Sequence, residues 1–315
     1  MTYRVLITAP YFLPVTNEYR VHLESEDIEL VEVQVRERLN EQQLLELVQE
    51  IDGVICGDDA FTKRVLQTAR RLKVISKWGT GIDSIDTLAA ASLGIQVCNT
   101  PNAFTDAVAD STIGYMLSFA RKLPFMNKEM HAGVWRKSPA TALNECSLGV
   151  VGVGNIGKAV VRRARAFGMK IYGNDPVVPE KSFLIETELE IVGLSDLLGE
   201  SDFVTLHCDL NPTSYRLIAQ QQLALMRSTA YLINTARGSL IDEPALIGAL
   251  SGRQIAGAAL DVFEVEPLPA DSPLRTMENC LLAPHNANSD SVAHRRVHES
   301  TIANLLDGLK RETVR

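Results

Sequence analysis

Short apolar runs alternate along the chain with longer segments in which apolar residues recur at helical spacing. In the first third of the chain, apolar runs at 5–7, 54–56 and 74–75 are separated by helical patterns at 41–49 and 64–71. This alternation is typical of βαβ units, in which helices cover both faces of a parallel sheet. The pattern therefore predicts an α/β fold.

A second and longer series of apolar runs begins near residue 148. Its members are the segments 148–151, 170–172, 203–206, 231–234 and 280–282. We predict that these runs form the strands of a second, larger doubly wound domain.

Two helical patterns flank the second series. Residues 102–121 carry apolar side chains at helical spacing without a proline, and residues 292–309 form an amphipathic pattern. The first predicts a connecting helix, and the second predicts a helix that returns to the first domain. We place the domain boundary near Pro101, and the length of 315 residues agrees with two domains.

Composition narrows the classes of partner. The chain has 46% hydrophobic and 22% charged residues and a formal net charge of -8. Nucleic acids and anionic membranes require clustered cations, so the charge disfavours both as partners. The five cysteines lack a disulfide or metal spacing, and the N-terminal apolar run is too short for a signal peptide. We therefore expect a cytoplasmic protein without a metal site.

The most specific local motif is a glycine-rich turn after the first strand of the second series. Gly152, Gly154 and Gly157 form a G-x-G-x-x-G pattern between an apolar run and a helical one. Such a turn brings a helix N-terminus to the pyrophosphate of a dinucleotide. The sequence therefore predicts that the three glycines, with Asn155 and Ile156, bind a dinucleotide cofactor, although a purely structural turn shares the glycine pattern.

Asp175 strengthens the dinucleotide interpretation, because it lies eighteen residues beyond Gly157 at the end of the next predicted strand. A carboxylate there accepts hydrogen bonds from the adenosine ribose and repels the 2′-phosphate of NADP, so we expect NAD. The alternative is that Asp175 only caps a helix or turn beside Pro176. Arg163 or Lys181, if either reached a phosphate, would weaken the preference for NAD.

Three later segments each follow an apolar run and carry residues suited to catalysis. They contain Arg237, Asp261 with Glu266, and His285. Ligands of doubly wound sheets bind beyond the carboxyl ends of the strands, where these side chains are expected to converge. Each residue alone is equally consistent with a surface ion pair, a turn or a loop. Their joint occurrence in this order favours a catalytic group.

Together, these motifs resemble those of the D-isomer-specific 2-hydroxyacid dehydrogenase family, over about residues 54–288. Further matches are the loop 79–83, the segment 99–101 and the strand motif 203–207. The resemblance implies an oxidoreductase that transfers a hydride between NAD and a small 2-oxo or 2-hydroxy acid.

The same resemblance implies an architecture. It consists of two Rossmann-like doubly wound domains, with an NAD-binding domain at 102–287 inserted into a smaller, flavodoxin-like substrate domain at 1–101 and 288–315. The resemblance also implies a homodimer built around the helix at 102–121.

Each catalytic candidate has chemistry suited to a separate task. Arg237 offers a planar, charged fork for the substrate carboxylate. His285 is suited to protonate the carbonyl oxygen as the hydride arrives, and Glu266 to orient the ring and favour its protonated form.

Further site residues follow from the resemblance alone. It implies cofactor contacts from His207, Thr235, Ala236 and Asp261, and substrate contacts from Lys77, Thr80 and Gly81 besides Arg237 and His285. For His207, a structural role at the strand end is an equally good interpretation.

Departures from the family pattern bear on the substrate. Gly57 stands where an arginine is expected in phosphoglycerate dehydrogenases, and Lys77 replaces another of their basic residues. These changes disfavour a phosphorylated substrate, although an activity like that of phosphoglycerate dehydrogenase stays open.

Two other functions share the fold. An NAD-sensing corepressor keeps the same catalytic residues, and only the lack of an extra peptide-binding extension argues against it. Formate dehydrogenase pairs its histidine with glutamine, so Glu266 argues against that enzyme.

Two histidines and two tryptophans complete the candidates. His294 and His298 are four residues apart, a spacing that allows cation binding, but a solvated helix face is the favoured interpretation. Trp78 and Trp135 are interpreted as packing residues, with Trp78 bordering the predicted substrate loop.

Overall fold

Twelve strands pair in parallel within two sheets in the computed structural model, which describes residues 2–310. In chain order, the strands are β1 (Tyr3–Ile7), β2 (Ile28–Glu32), β3 (Gly53–Cys56), β4 (Val74–Lys77), β5 (Gln96–Cys98), β6 (Ser147–Val151), β7 (Lys170–Asn174), β8 (Glu190–Ile191), β9 (Phe203–Leu206), β10 (Tyr231–Asn234), β11 (Gly257–Leu260) and β12 (Cys280–Leu282).

Helices of two to five turns connect most of these strands. In chain order, they are α1 (Thr16–Ser25), α2 (Glu41–Leu47), α3 (Lys63–Thr68), α4 (Thr87–Ser92), α5 (Thr105–Ala120), α6 (Leu123–His131), α7 (Asn155–Ala166), α8 (Lys181–Thr187), α9 (Leu194–Glu200), α10 (Gln220–Leu225), α11 (Glu243–Ser251) and α12 (Ser291–Lys310). Within the described range, no helix combines the length and the apolar character that crossing a bilayer requires.

The chain divides into two compact units. The first unit contains the described residues up to Phe104 and from Asp290 onward, and the second unit is Thr105–Ser289. The first sheet has the order β2-β1-β3-β4-β5, and the second has the order β12-β11-β10-β9-β6-β7-β8. The first order is flavodoxin-like, and the second extends the Rossmann order. The predicted α/β fold with two doubly wound sheets is confirmed.

The second unit is built around strands that are buried on both faces. Every residue of β6, β9 and β11 is buried, as expected for a parallel sheet covered by helices. On one face, Ala109 and Ile113 of α5 pack with Ala159 and Val160 of α7 in a single hydrophobic cluster. The packing places the start of α7 beside the end of β6.

The first unit is completed by the last helix of the chain. The Ser76 hydroxyl on β4 donates to the carbonyl of Thr301 on α12 at 2.8 Å. A Cβ at Gly308 would lie 2.5 Å from Val74 Cγ2, so the helix and the strand are in close contact. The helix predicted at 292–309 thus packs against the sheet of the first unit.

Two predicted helices have different ends in the structure. The pattern at 102–121 becomes α5, which begins only at Thr105, because Asn102 has a left-handed backbone with φ of 62°. The pattern at 64–71 becomes α3, which ends at Thr68, because the backbone of Ala69 leaves the helical region at ψ of 67°.

The interpretation of His298 as part of a solvated helix face was wrong. His298 is 6% exposed, and its Nδ1 accepts a hydrogen bond from the Trp78 indole at 3.0 Å. Burial, aided by the nearby His294, lowers the pKa of His298 to about 4. Trp78 is a packing residue, as predicted, whereas the interpretation of Trp135 as a packing residue was wrong, because it is 83% exposed.

Candidate active site

The glycine-rich turn joins β6 to α7. Gly152 has φ of 91°, and a Cβ there would lie 2.4 Å from the backbone N of Cys208. A Cβ at Gly157 would lie 2.1 Å from the carbonyl O of Gly152, whereas no atom comes within 4 Å of one at Gly154. Packing therefore requires glycine at 152 and 157, while the space at Gly154 is open, as close approach of a ligand to the backbone requires.

The two residues after Gly154 differ in their surroundings. Asn155 is the exposed first residue of α7. The side chain of Ile156 packs against the hydrophobic core of the second unit, which leaves ligand contact to its backbone.

Asp175 holds the glycine-rich turn to the end of β7. Its two carboxylate oxygens accept hydrogen bonds from the backbone N–H groups of Val153 and Val177, both at 2.7 Å. The structure thus shows the turn role that the sequence left as an alternative. Each oxygen has a further lone pair that a ribose hydroxyl can use. Arg163 forms ion pairs with Asp106 and Asp110 of α5.

His207 follows β9 directly beside the glycine-rich turn. Its Nε2 lies 3.0 Å from the Thr205 hydroxyl, and burial lowers the pKa of His207 to about 3. The ring is therefore neutral at physiological pH. This geometry fits a structural role and leaves a cofactor contact as a proposal.

Asn234 shapes the loop that carries Arg237. The Asn234 amide donates to the carbonyl of Arg237 at 2.8 Å and accepts from the N–H of Ala236 at 3.0 Å. The Thr235 hydroxyl lies 3.4 Å from that of Thr112 on α5. Sequence reasoning missed Asn234, although a buried polar residue that ends an apolar strand was a usable signal.

Gly238 brings this loop into close contact with the loop after β11. A Cβ at position 238 would lie 1.9 Å from the carbonyl C of Phe263, so only glycine fits here. The loops after β10 and β11 are thereby fixed to each other.

Asp261 anchors the loop that carries His285. The Asp261 carboxylate accepts the N–H groups of Asn286 and Ala287, both at 2.8 Å, and its carbonyl accepts the N–H of His285 at 2.7 Å. His285 has a left-handed backbone with φ of 52°, which is unusual for a residue with a Cβ. Burial raises the pKa of the Asp261 carboxyl, while the backbone hydrogen bonds oppose this change.

Glu266 contacts the imidazole of His285. Glu266 Oε2 lies 3.1 Å from His285 Nδ1, and its Oε1 accepts the N–H of Phe263 at 2.9 Å. The hydrogen bond to Phe263 fixes the carboxylate, which in turn orients the ring. A histidine held in this way can exchange a proton through its other nitrogen.

In the first unit, the predicted substrate loop follows β4. Gly79 has φ of 119°, and its carbonyl accepts the N–H of Thr100 at 2.9 Å. The Thr80 carbonyl accepts from the Asn99 amide at 2.6 Å, and the Thr80 hydroxyl donates to the Thr100 carbonyl at 3.1 Å. Gly81 follows in the same loop. The segment 99–101, which the sequence assigned to the domain crossing, thus also supports this loop.

The second unit gathers its candidate residues at one edge of its sheet. The glycine-rich turn, Arg237, Asp261 and His285 follow β6, β10, β11 and β12, and all four strands run in parallel. A dinucleotide-type turn at the same edge as a paired histidine and an arginine defines a dinucleotide-dependent oxidoreductase.

Comparison with known proteins assigns the chain to a family within this class. Residues 113–287 match the NAD-binding domain of the D-isomer-specific 2-hydroxyacid dehydrogenases. A glyoxylate reductase of Korarchaeum cryptofilum is 38% identical, over 84% of this chain and 81% of that protein. The chain belongs to the D-isomer-specific 2-hydroxyacid dehydrogenase family, which confirms the resemblance seen in the sequence and the expectation of NAD.

Two further relatives differ in their length and named activity. A D-3-phosphoglycerate dehydrogenase of Methanocaldococcus jannaschii is 41% identical over 85% of this chain. The matched region covers only 51% of the length of that relative. The structure of a D-lactate dehydrogenase from Aquifex aeolicus, complexed with NAD and lactic acid, matches with a TM-score of 0.85 at 25% identity, over 99% of this chain and 98% of that one. These relatives are oxidoreductases and give the corepressor alternative no support.

Proposed function

We propose that the protein is an NAD-dependent D-2-hydroxyacid dehydrogenase that interconverts a small 2-oxo acid and the corresponding D-2-hydroxy acid. The observation that carries the proposal is the His285–Glu266 pair at 3.1 Å, on a loop anchored by Asp261. The Asp261 carboxylate holds the backbone of the His285 loop and the Glu266 carboxylate holds its ring, which together give His285 the fixed position that proton transfer requires.

The catalytic roles follow from the residue chemistry. The Arg237 guanidinium binds the substrate carboxylate and polarises the neighbouring carbonyl. When bound, NADH would supply the hydride that carbon 2 of the oxo acid accepts. The His285 imidazolium gives its proton to the carbonyl oxygen, and the Glu266 carboxylate stabilises the charged ring before transfer. In the oxidative direction, neutral His285 takes the proton back.

Binding roles are proposed for the remaining candidates. Gly152, Gly154, Gly157 and the backbones of Asn155 and Ile156 hold the pyrophosphate, Asp175 holds the ribose, and His207, Thr235, Ala236 and Asp261 lie along the rest of the cofactor. The first unit is the substrate domain, in which the backbone of Thr80 and Gly81 holds the substrate carboxylate beside Lys77. The open space at Gly154 and the hydrogen-bonded loop around Thr80 support these roles.

A homodimer is also part of the proposal. The inner face of α5 is buried in its own unit, so the apolar surface for a second copy lies mainly on the segment after it. There Leu123, Met130, Val134 and Trp135 are exposed within residues 123–135. Groups of exposed large apolar side chains often mark association surfaces, and these four lie within one short segment.

We propose the cytoplasm as the location. All five cysteines are free thiols, which agrees with a reducing compartment.

Oxidation of NADH, followed at 340 nm with a panel of 2-oxo acids, tests the proposed function. We expect wild-type turnover, a loss of about 100-fold or more in His285→Ala because the proton donor is removed, and unchanged NADH affinity. His22→Ala removes an exposed histidine of α1 and serves as the matched control. Unchanged turnover in His285→Ala would exclude His285 as the acid.

A further inference from the structure

An ion pair lies beside the proposed substrate loop. Lys77 ends β4, one residue before Trp78 and the loop, and its ammonium lies 3.0 Å from Asp58 Oδ1. Asp58 follows β3, the neighbouring strand, in which Cys56 is the register partner of Lys77. Lys77 is 4% exposed, and it also donates to the Trp78 carbonyl at 3.2 Å. Its charge is therefore compensated within the first unit.

Position 57, next to Asp58 in the chain, has little space for a long basic side chain. A Cβ at Gly57 would lie 2.9 Å from Pro10 Cδ, so a long basic side chain at position 57 requires the proline to move. Asp59, the residue after Asp58, is fully buried. Its carboxyl group accepts hydrogen bonds from the Thr8 hydroxyl and from the N–H groups of Leu39 and Gly57. The turn after β3 thus contributes two carboxyl groups and no base.

We propose that Asp58 determines substrate specificity: because its carboxylate compensates the charge of Lys77, the site selects unphosphorylated 2-oxo acids with a neutral or hydroxyl-bearing distal end over phosphorylated ones. This inference rests on the proposed function.

The physical basis is that the Asp58–Lys77 pair carries no net charge. A phosphate dianion there gains little attraction from an ammonium that is already paired, while the partly buried Asp58 carboxylate repels it with limited solvent screening. A hydroxyl group avoids this repulsion, and a carboxylate oxygen accepts its hydrogen bond. The relatives do not decide this question, because a phosphoglycerate dehydrogenase and a glyoxylate reductase are similarly close in sequence.

The test compares kcat/KM for hydroxypyruvate and 3-phosphohydroxypyruvate in the NADH-dependent reaction. We expect the wild type to prefer hydroxypyruvate by about tenfold or more, and Asp58→Asn to shift the ratio about tenfold towards the phosphorylated acid. Asn keeps the size of the side chain and leaves the Lys77 charge uncompensated. Lys77→Met, which keeps Asp58, should shift the ratio in the opposite direction.

Asp27→Asn is the matched control, because it removes the same charge in the turn before β2, at the amino end of that strand, and should leave the ratio unchanged. Wild-type preference for the phosphorylated acid, or an Asp58→Asn ratio equal to that of Asp27→Asn, overturns the inference while the proposed function stands. If Asp58→Asn does not fold, the wild-type ratio and Lys77→Met decide. Wild-type inactivity with every 2-oxo acid overturns the proposed function, and the inference with it.

Discussion

Polar side chains at the ends of β7, β10 and β11 form hydrogen bonds with the backbone of loops at the proposed cofactor edge. Asp175, Asn234 and Asp261 each accept at least one backbone N–H from a loop at the proposed cofactor edge. A hydrogen bond from a backbone N–H to a carboxylate is stronger than one between neutral groups. These three residues therefore give the loops a defined shape before any ligand binds.

Asp175 has an observed role in holding the glycine-rich turn and a proposed role at the ribose, and a single substitution can separate the two. In Asp175→Ala, loss of the hydrogen bond to Val153 loosens the glycine-rich turn for both cofactors alike. Loss of the ribose contact affects NADH specifically, and loss of the carboxylate relieves repulsion of the NADPH phosphate. We therefore expect the ratio of the NADPH to NADH dissociation constants to fall roughly tenfold.

Fluorescence titration of both reduced cofactors measures this ratio. Asp196→Ala, which removes an acidic residue in the first turn of α9, provides the control. If Asp175→Ala weakens the binding of both cofactors equally, Asp175 acts only by holding the glycine-rich turn in place.

The sequence was more informative about acid–base candidates than about the residues that position them. His285 and Glu266 were predicted from their motifs, and the structure pairs them at 3.1 Å. Asn234 and Asp58 were not singled out, because their roles depend on partners that only the fold brings near. Asp58 and Lys77, for example, are nineteen positions apart and meet across neighbouring strands.

At the scale of elements, burial explains many of the strands that the sequence revealed. The edge strand β12 was nevertheless predicted, and the fully buried β11 was not among the predicted strands. The fully buried β3, β6 and β9 are short, unbroken apolar runs, and they were predicted. The edge strands β2 and β5 were not predicted, because exposed edge positions tolerate the polar residues Glu29, Glu32 and Gln96. An apolar run is a consequence of two covered faces, and edge strands do not need one.

The contact between the loops after β10 and β11 gives a prediction about stability. Gly238→Ala places a methyl group against the Phe263 backbone, so one loop must move. We expect the free energy of unfolding of the second unit to fall by about 2 kcal/mol or more. Turnover should fall as well, because the same shift displaces Arg237.

Urea denaturation followed by circular dichroism measures the stability change. Gly248→Ala is the matched control, because a Cβ at this position in α11 has no neighbour within 4 Å. Alanine there should be neutral or stabilise the helix by up to about 1 kcal/mol. Equal effects of the two substitutions would show that the contact with Phe263 does not constrain the loops.

At the scale of the whole molecule, the exposed apolar segment after α5 predicts association. Trp135 is 83% exposed and Met130 is 52% exposed, and transfer of such side chains out of water favours a dimer. We expect Trp135→Asp combined with Met130→Asp to convert the dimer into a monomer.

Sedimentation velocity of the wild type and the double variant measures the mass directly. Leu88→Asp introduces the same charge at an equally exposed leucine, 84% accessible on α4 of the first unit, and should leave the dimer intact. A monomeric wild type, or a dimeric double variant, would refute the homodimer.

The position of α12 has a consequence for biosynthesis. The Ser76 hydroxyl and the Thr301 carbonyl are 225 positions apart in the chain, yet they form a buried hydrogen bond within the first unit. The second unit is one continuous stretch, Thr105–Ser289, and its synthesis is complete before that of α12 begins. The N-terminal sheet therefore cannot complete its packing until α12 has been synthesised. Until then, the face of β3 and β4 that α12 covers stays exposed. In this protein, the part of the chain that is synthesised first is the part that finishes folding last.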